Sequence, residues 1–281
     1  MNKTIDFLLN SNLFLSFCVA CLALATQIKL DSFSVEILWL LFFGAFISYN
    51  FQRIIAHEKL KVGLYNSWYK KNRKNIYFLL GIFSIMFIYF FLKLTLNSKL
   101  IVFFLSLISF LYPFGLRAIP FLKIFLISFS WALSTTALIY FENNLFIDKD
   151  FYLDLLSRFC FVLSITIPFD IRDVKYDNKS LQTIPMIFGI SNSKKIALAF
   201  LFSYLLIECY FSLFVKMNLN FLLASFFCYL YSFYFVSKAN DNRGNFYYSF
   251  WLESCSVLLL LFLIIASIFC KISSYIYCCL N

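Results

Sequence analysis

Asp170, Asp173 and Asp177 recur at i, i+3 and i+7, a spacing that puts three carboxylates on one face of a helix. Like charges stacked in this way repel, so the pattern calls for a cation among them. Mg2+ prefers carboxylate and water oxygens and commonly bridges one or two carboxylates to a phosphate. The spacing therefore predicts a metal–diphosphate site at a membrane surface. The three acids lie in Pro168–Lys195, a polar island in a chain of 281 residues with only 14 Asp and Glu. Arg172, Lys175 and Lys179 stand among and after them, which also suits a solvated helix end with self-neutralising charges. Against that simpler reading, Leu181 to Gly189 carries Pro185 and Gly189 as breakers and predicts a structured loop.

A second polar group closes another apolar stretch, with Asn50, Gln52, Arg53, His57 and Glu58. Polar side chains at membrane depth are costly and are more often functional; snorkelling accounts equally well for Arg53 and Lys59. His57 is the only histidine and has no partner at metal-ligand spacing, so it reads as an interface residue. Tyr112-Pro113-Phe114-Gly115-Leu116-Arg117 forms a third group. Pro113 can kink a helix there, and Arg117 can reach phosphate oxygens. Glu208 and Glu253 sit inside apolar stretches; Glu208, in mid-stretch, requires a partner or a neutral state.

The elements that must position these groups are membrane helices. The chain is 62% hydrophobic with 40 Phe, and its mean hydropathy is +0.83, well beyond a soluble domain. We read an all-α, polytopic bundle of about nine spans, each roughly 20 residues long. They fall at 11–29, 33–56, 76–95, 99–116, 121–141, 151–169, 195–215, 219–237 and 247–270, with 57–75 a polar loop. No linker composition divides the chain, so residues 1–281 read as one domain. The N-terminus lacks the basic region and cleavage site of a signal peptide, so the first span is expected to be retained.

The net charge of +10 follows from the positive-inside rule rather than from nucleic acid, for which no motif is present. The loops after spans 2, 4, 6 and 8 hold the Lys and Arg clusters, including Lys70, Arg117, Lys123, Arg172 and Arg243. Those loops and the N-terminus are therefore expected on the cytoplasmic side. The nine cysteines are scattered through the spans, and Cys18-x-x-Cys21 reads as small apolar filler in the first helix. A faint echo relates the ends of spans 2 and 6. Tyr49-Asn50-Phe51-Gln52-Arg53 and Phe169-Asp170-Ile171-Arg172-Asp173 each place polar residues after an aromatic, as two halves of a bundle do around a shared site.

At three stretches the chain resembles the UbiA superfamily of membrane prenyltransferases. Asp173-x-x-x-Asp177, with Asp170 before it and NKSLQTIPMIFG after it, is similar to the second Asp-rich motif. SFLYPFGLR, with Pro120 and Trp131 beyond, is similar to the Tyr-Pro-Phe segment after the fourth helix. Asn50 falls where the first Asp-rich motif begins. The resemblance covers nearly the whole chain in layout and about 40 residues in motif. It implies a prenyl group moved from an isoprenoid diphosphate to a lipid-soluble acceptor, assisted by Mg2+ at the cytoplasmic face of an integral membrane protein, with a bacterial inner membrane as the expected location. It implies catalytic Asp173 and Asp177, metal ligands Asp170, Asp173, Asp177 and Glu58, and substrate contacts from Asn50, Arg53, Tyr112, Arg117 and Lys179.

The chain departs from the pattern in its first motif. The family reads Asn-Asp-x-x-Asp-x-x-x-Asp, and the matching positions here are Asn50, Phe51, Ile54 and Glu58. A two-metal site loses much of its ligand shell by these changes. Arg53, amid the missing acids, is expected to supply positive charge in place of one Mg2+. A catalytically impaired relative that binds an isoprenoid or lipid is the alternative. A small-solute transporter fits less well, because mid-span ionisable chains are almost absent.

Overall fold

The structure is a computed structural model that describes residues 3–60, 66–177, 181–215 and 218–280; the side chains of 56–60, 66–67, 118 and 269–280 lie outside the description. Among the described residues it is all-α, with nine helices long and apolar enough to span a membrane. A short helix, α1 (Lys3–Asn10), precedes them. The spans are α2 (Leu13–Leu30), α3 (Val35–Leu60), α4 (Asn66–Lys93), α5 (Leu96–Leu111), α6 (Leu122–Glu142), α7 (Lys149–Asp173), α8 (Ile184–Val215), α9 (Leu219–Ser237) and α10 (Tyr247–Ile268).

Local chemistry sets the helix ends. Thr95 accepts from the Ser98 amide at the start of α5. Asp148 accepts from the amides of Asp150 and Phe151 at the start of α7, and Asn218 from that of Phe221 at the start of α9. Each satisfies an amide that a helix N-terminus leaves without an internal acceptor. Pro168 lies inside α7, yet the helix runs on to Asp173. Of the expected structured loop at Leu181–Gly189, residues 184–189 are instead the first turns of α8. Thr183 stands at its N-cap position without a side-chain capping bond, Pro185 sits in its first turn, and the break falls at Gly189, whose φ of 75° suits glycine. Likewise most of the expected loop at 57–75 is helical, since α3 runs to Leu60 and α4 starts at Asn66. Polar composition misled there, because membrane helices extend past the hydrocarbon core into water.

Two apolar clusters share α2. Leu22 and Ala25 pack with Phe161 of α7, Tyr204 of α8, Phe221 of α9 and Leu259 of α10. Val19 and Ala23 pack with Ile37 and Leu40 of α3, Val102 of α5 and Leu138 of α6. Cys18 and Cys21 are free and buried, small filler as expected. α2 and α7 form the interior of the bundle, and little of α4 is fully buried.

A buried polar network ties the helices together at the end carrying the odd-numbered connections. Lys29 Nζ lies 2.6 Å from Asp154 Oδ1 and 2.7 Å from Glu208 Oε2. Tyr140 donates to Asp154 at 2.6 Å, and Ser157 donates to Glu208. The Lys29 ammonium also stands over the rings of Phe211 and Phe221, at 4.2 and 4.5 Å. Glu208 thus has its partner, Lys29, which lies 179 positions away in the chain.

Candidate functional site

The other end of the bundle holds a cavity of about 820 Å³, lined by both stretches of the sequence echo: Tyr49, Gln52 and Arg53 on α3, and Phe169, Asp170, Arg172 and Asp173 on α7. The equivalence of the two helix ends is therefore spatial. The Tyr112-Pro113-Phe114 turn and Arg117 close another wall, and Glu253 on α10 faces in. Leu9 of α1 and Asn12 line it too, so the short first helix serves as part of the rim. α1, eight residues long and preceding the first apolar run, has no span signal in the sequence.

All three aspartates line the chamber, but only Asp170 and Asp173 lie within α7. α7 ends at Asp173, and the turn that follows, with the Tyr176 and Asp177 amides bonded to the Asp173 carbonyl, carries Asp177 back toward Asp170. What joins those two is Lys123, which the sequence offered only as one of the cytoplasmic cluster lysines. Lys123 Nζ is 2.6 Å from Asp170 Oδ1 and 3.2 Å from Asp177 Oδ2. Arg117 Nη2 approaches Asp177 Oδ1 at 3.5 Å. Asp173 is gripped by both forks of Arg172, at 2.7 and 3.0 Å, and Arg172 also donates to Asn245 at 3.1 Å. One signal for Lys123 was available. A lysine in the first turn of a helix opposes the helix dipole, so at the start of apolar α6 it needs carboxylates to hold it.

Other expected site residues fall as follows. Arg53 lines the cavity and also donates to the Asn10 carbonyl and, at 2.7 Å, to Asn12 Oδ1, anchoring the α1–α2 junction. Asn50 is outside the lining; its amide donates to the carbonyls of Ser11 and Phe46 at 3.0 and 2.9 Å. Tyr112 is buried and lines the cavity. The Glu58 side chain and Lys179 lie outside the described residues.

A second, mostly apolar cavity of about 480 Å³ lies between α3, α4, α5 and α6. Tyr49, Gln52, Tyr112, Ile127 and Trp131 line both cavities, so the polar chamber and the apolar one share a wall. Trp131 Nε1 donates to Tyr49 Oη across it at 2.8 Å. Directly after Trp131, α6 widens into π-type turns at Leu133–Ala137, and the Ser134 and Thr135 hydroxyls bond back to the Trp131 carbonyl at 3.1 and 2.7 Å. Such widened turns re-aim the side chains around them. The arrangement suits an amphiphile with a small, highly charged head and a long apolar tail.

A divalent cation does not fit the donors described here. No three His, Cys, Asp or Glu among the described residues group to hold one. Lys123 fills the gap between Asp170 and Asp177, Arg172 covers both oxygens of Asp173, and Phe51 and Ile54 offer no oxygen from α3.

Among solved structures, the chain is similar to a UbiA homologue from Archaeoglobus fulgidus bound to GPP and Mg2+, with a TM-score of 0.66 and 14% identity over 92% of this chain and 97% of that one. It is similar also to the apo structure of a UbiA homologue from Aeropyrum pernix K1, with a TM-score of 0.67 and 11% identity over 90% and 97% of the two chains. A structure described in connection with digeranylgeranylglyceryl phosphate synthase in membranes matches at a TM-score of 0.57 and 15% identity, over 95% and 99%. No protein-family model and no curated protein sequence matches the chain. The chain has the UbiA fold and is a multi-pass integral membrane protein. The Mg2+ expected from the sequence has its counterpart in the ligands of the Archaeoglobus fulgidus structure, and not in a carboxylate cluster among the described residues of this chain.

Proposed function

We propose that this chain binds an isoprenoid diphosphate and transfers its prenyl group to a lipid-soluble acceptor. One observation carries the reading: a chamber with basic side chains at one end of the bundle shares a wall with an apolar cavity between α3, α4, α5 and α6. The diphosphate would lie against Arg117 and Lys123, and the tail would pass Tyr49 and Trp131. Transfer breaks the C1–O bond, the electron pair leaves with the diphosphate, and an acceptor nucleophile attacks the allylic cation. Cationic side chains stabilise the charge that develops on the departing oxygens, and aromatic walls suit an allylic cation. The Lys and Arg bias of the even-numbered connections supports a cytoplasmic position for the chamber. The UbiA homologue bound to GPP supports the ligand class.

The second reading, binding without transfer, is favoured by Phe51 and Ile54 where the resemblance implies acids. The two separate in one assay. Purified protein in lipid nanodiscs is given labelled geranyl, farnesyl and geranylgeranyl diphosphates with a membrane lipid extract. Label moving into lipid is the expected result. Tight binding with no diphosphate release would favour the second reading, and neither binding nor transfer would remove both.

Chain-length preference gives a further prediction. Ser84 on α4 lines only the apolar cavity. Ser84→Phe is expected to weaken geranylgeranyl diphosphate about tenfold more than geranyl diphosphate, since a ring placed there overlaps the longer tail. Equal effects on both donors, read as Kd, would move the tail elsewhere.

A further inference from the structure

We propose that Lys123 takes the place of a divalent cation, so that this chain binds an isoprenoid diphosphate without Mg2+; this rests on the function proposed above. Its Nζ bridges Asp170 and Asp177 at 2.6 and 3.2 Å, as a metal ion bridges two carboxylates. An ammonium has three N–H donors; one is donated to Asp177 at 3.2 Å, and Lys123 lines the chamber, where another can meet a phosphate oxygen. The Lys123 side chain is 13% exposed and that of Asp170 is 2% exposed, so little water competes for the charge. Arg117, beside Asp177 at 3.5 Å, supplies a planar fork for the same anion.

The remaining acids fit this picture. Asp173 accepts from Arg172 on both oxygens, so its charge is already compensated without a metal. On α3, Phe51 and Ile54 leave the facing helix with fewer carboxylates, so the chamber needs less added positive charge. Asp170 and Asp177 then act as positioning residues: they hold the ammonium in place rather than touching the diphosphate. The arrangement differs from the Arg53 substitution that the sequence suggested, because Arg53 is engaged at the α1–α2 junction.

The test is the affinity of nanodisc-embedded protein for geranyl, farnesyl and geranylgeranyl diphosphates, in EDTA and in excess Mg2+. For the best-bound donor, the two buffers are expected to give Kd values within about threefold of each other. Lys123→Ala in EDTA is expected to weaken binding about 10- to 100-fold, as loss of a charge-assisted hydrogen bond does. Mg2+ should then recover most of it, because the vacated Asp170 and Asp177 become a metal site. Wild-type binding seen only with Mg2+ would overturn the inference and leave the proposed function standing. Absence of binding in both buffers would overturn both. Should Lys123→Ala not fold, the wild-type comparison decides alone.

Discussion

Lys29→Met is expected to cost this protein about 3–5 kcal/mol of stability, the usual result of removing one member of a buried ion pair. The lysine is 5% exposed and stands between two carboxylates. Without it, Asp154 and Glu208 are left facing each other where neither water nor lipid head groups can solvate them. Tyr140 and Ser157 each donate one hydrogen bond to the pair, which cannot neutralise two charges. Arg158, on the same helix as Asp154, gives its Nη2 to Thr26 at 2.7 Å. A fall in the thermal midpoint in detergent of about 10 °C is the measurable form of that loss. The triple variant Lys29→Met, Asp154→Asn, Glu208→Gln should recover most of it, because neutral groups of similar size carry no unpaired charge. A single variant as stable as the parent would show that the network does not hold the bundle.

Arg117→Ala is expected to lower kcat/KM for prenyl transfer about 100-fold, with Arg117→Lys keeping part of the rate. The Tyr112–Phe114 turn and the Leu116–Ala118 turn after it place this residue at the chamber mouth, where its guanidinium reaches Asp177 and the space assigned to the diphosphate. A planar fork grips phosphate oxygens in pairs, whereas lysine offers a point charge, so the conservative change restores charge without geometry. The side chain is 37% exposed, so the substitution should leave the thermal midpoint within about 1–2 °C of the parent. An unchanged kcat/KM would place the diphosphate away from Arg117.

The spans were legible in the sequence because each is a long apolar run, and so was the site end of the bundle, because Asp170, Asp173, Asp177, Arg53 and Arg117 are polar islands in it. Three things were not legible. Lys123 and Lys29 find their carboxylates 54 and 125 positions away, and helices that are apolar on every side give no periodicity from which to pair them. The end of α7 at Asp173, which leaves Asp177 in the turn that follows, had no signal in the spacing of the three aspartates. The stretches 57–75 and 181–189 read as loops by polarity and by Pro and Gly, yet Pro185 opens a helix and Gly189 only breaks one.

The most direct measurement is an experimental structure of the protein in nanodiscs with geranylgeranyl thiolodiphosphate, whose sulfur bridge resists cleavage. Diphosphate density is expected within hydrogen-bond reach of Arg117 and Lys123, with the tail passing the Tyr49–Trp131 pair into the cavity between α3, α4, α5 and α6. Density for the head group outside this chamber, or a tail leaving through another face, would contradict it.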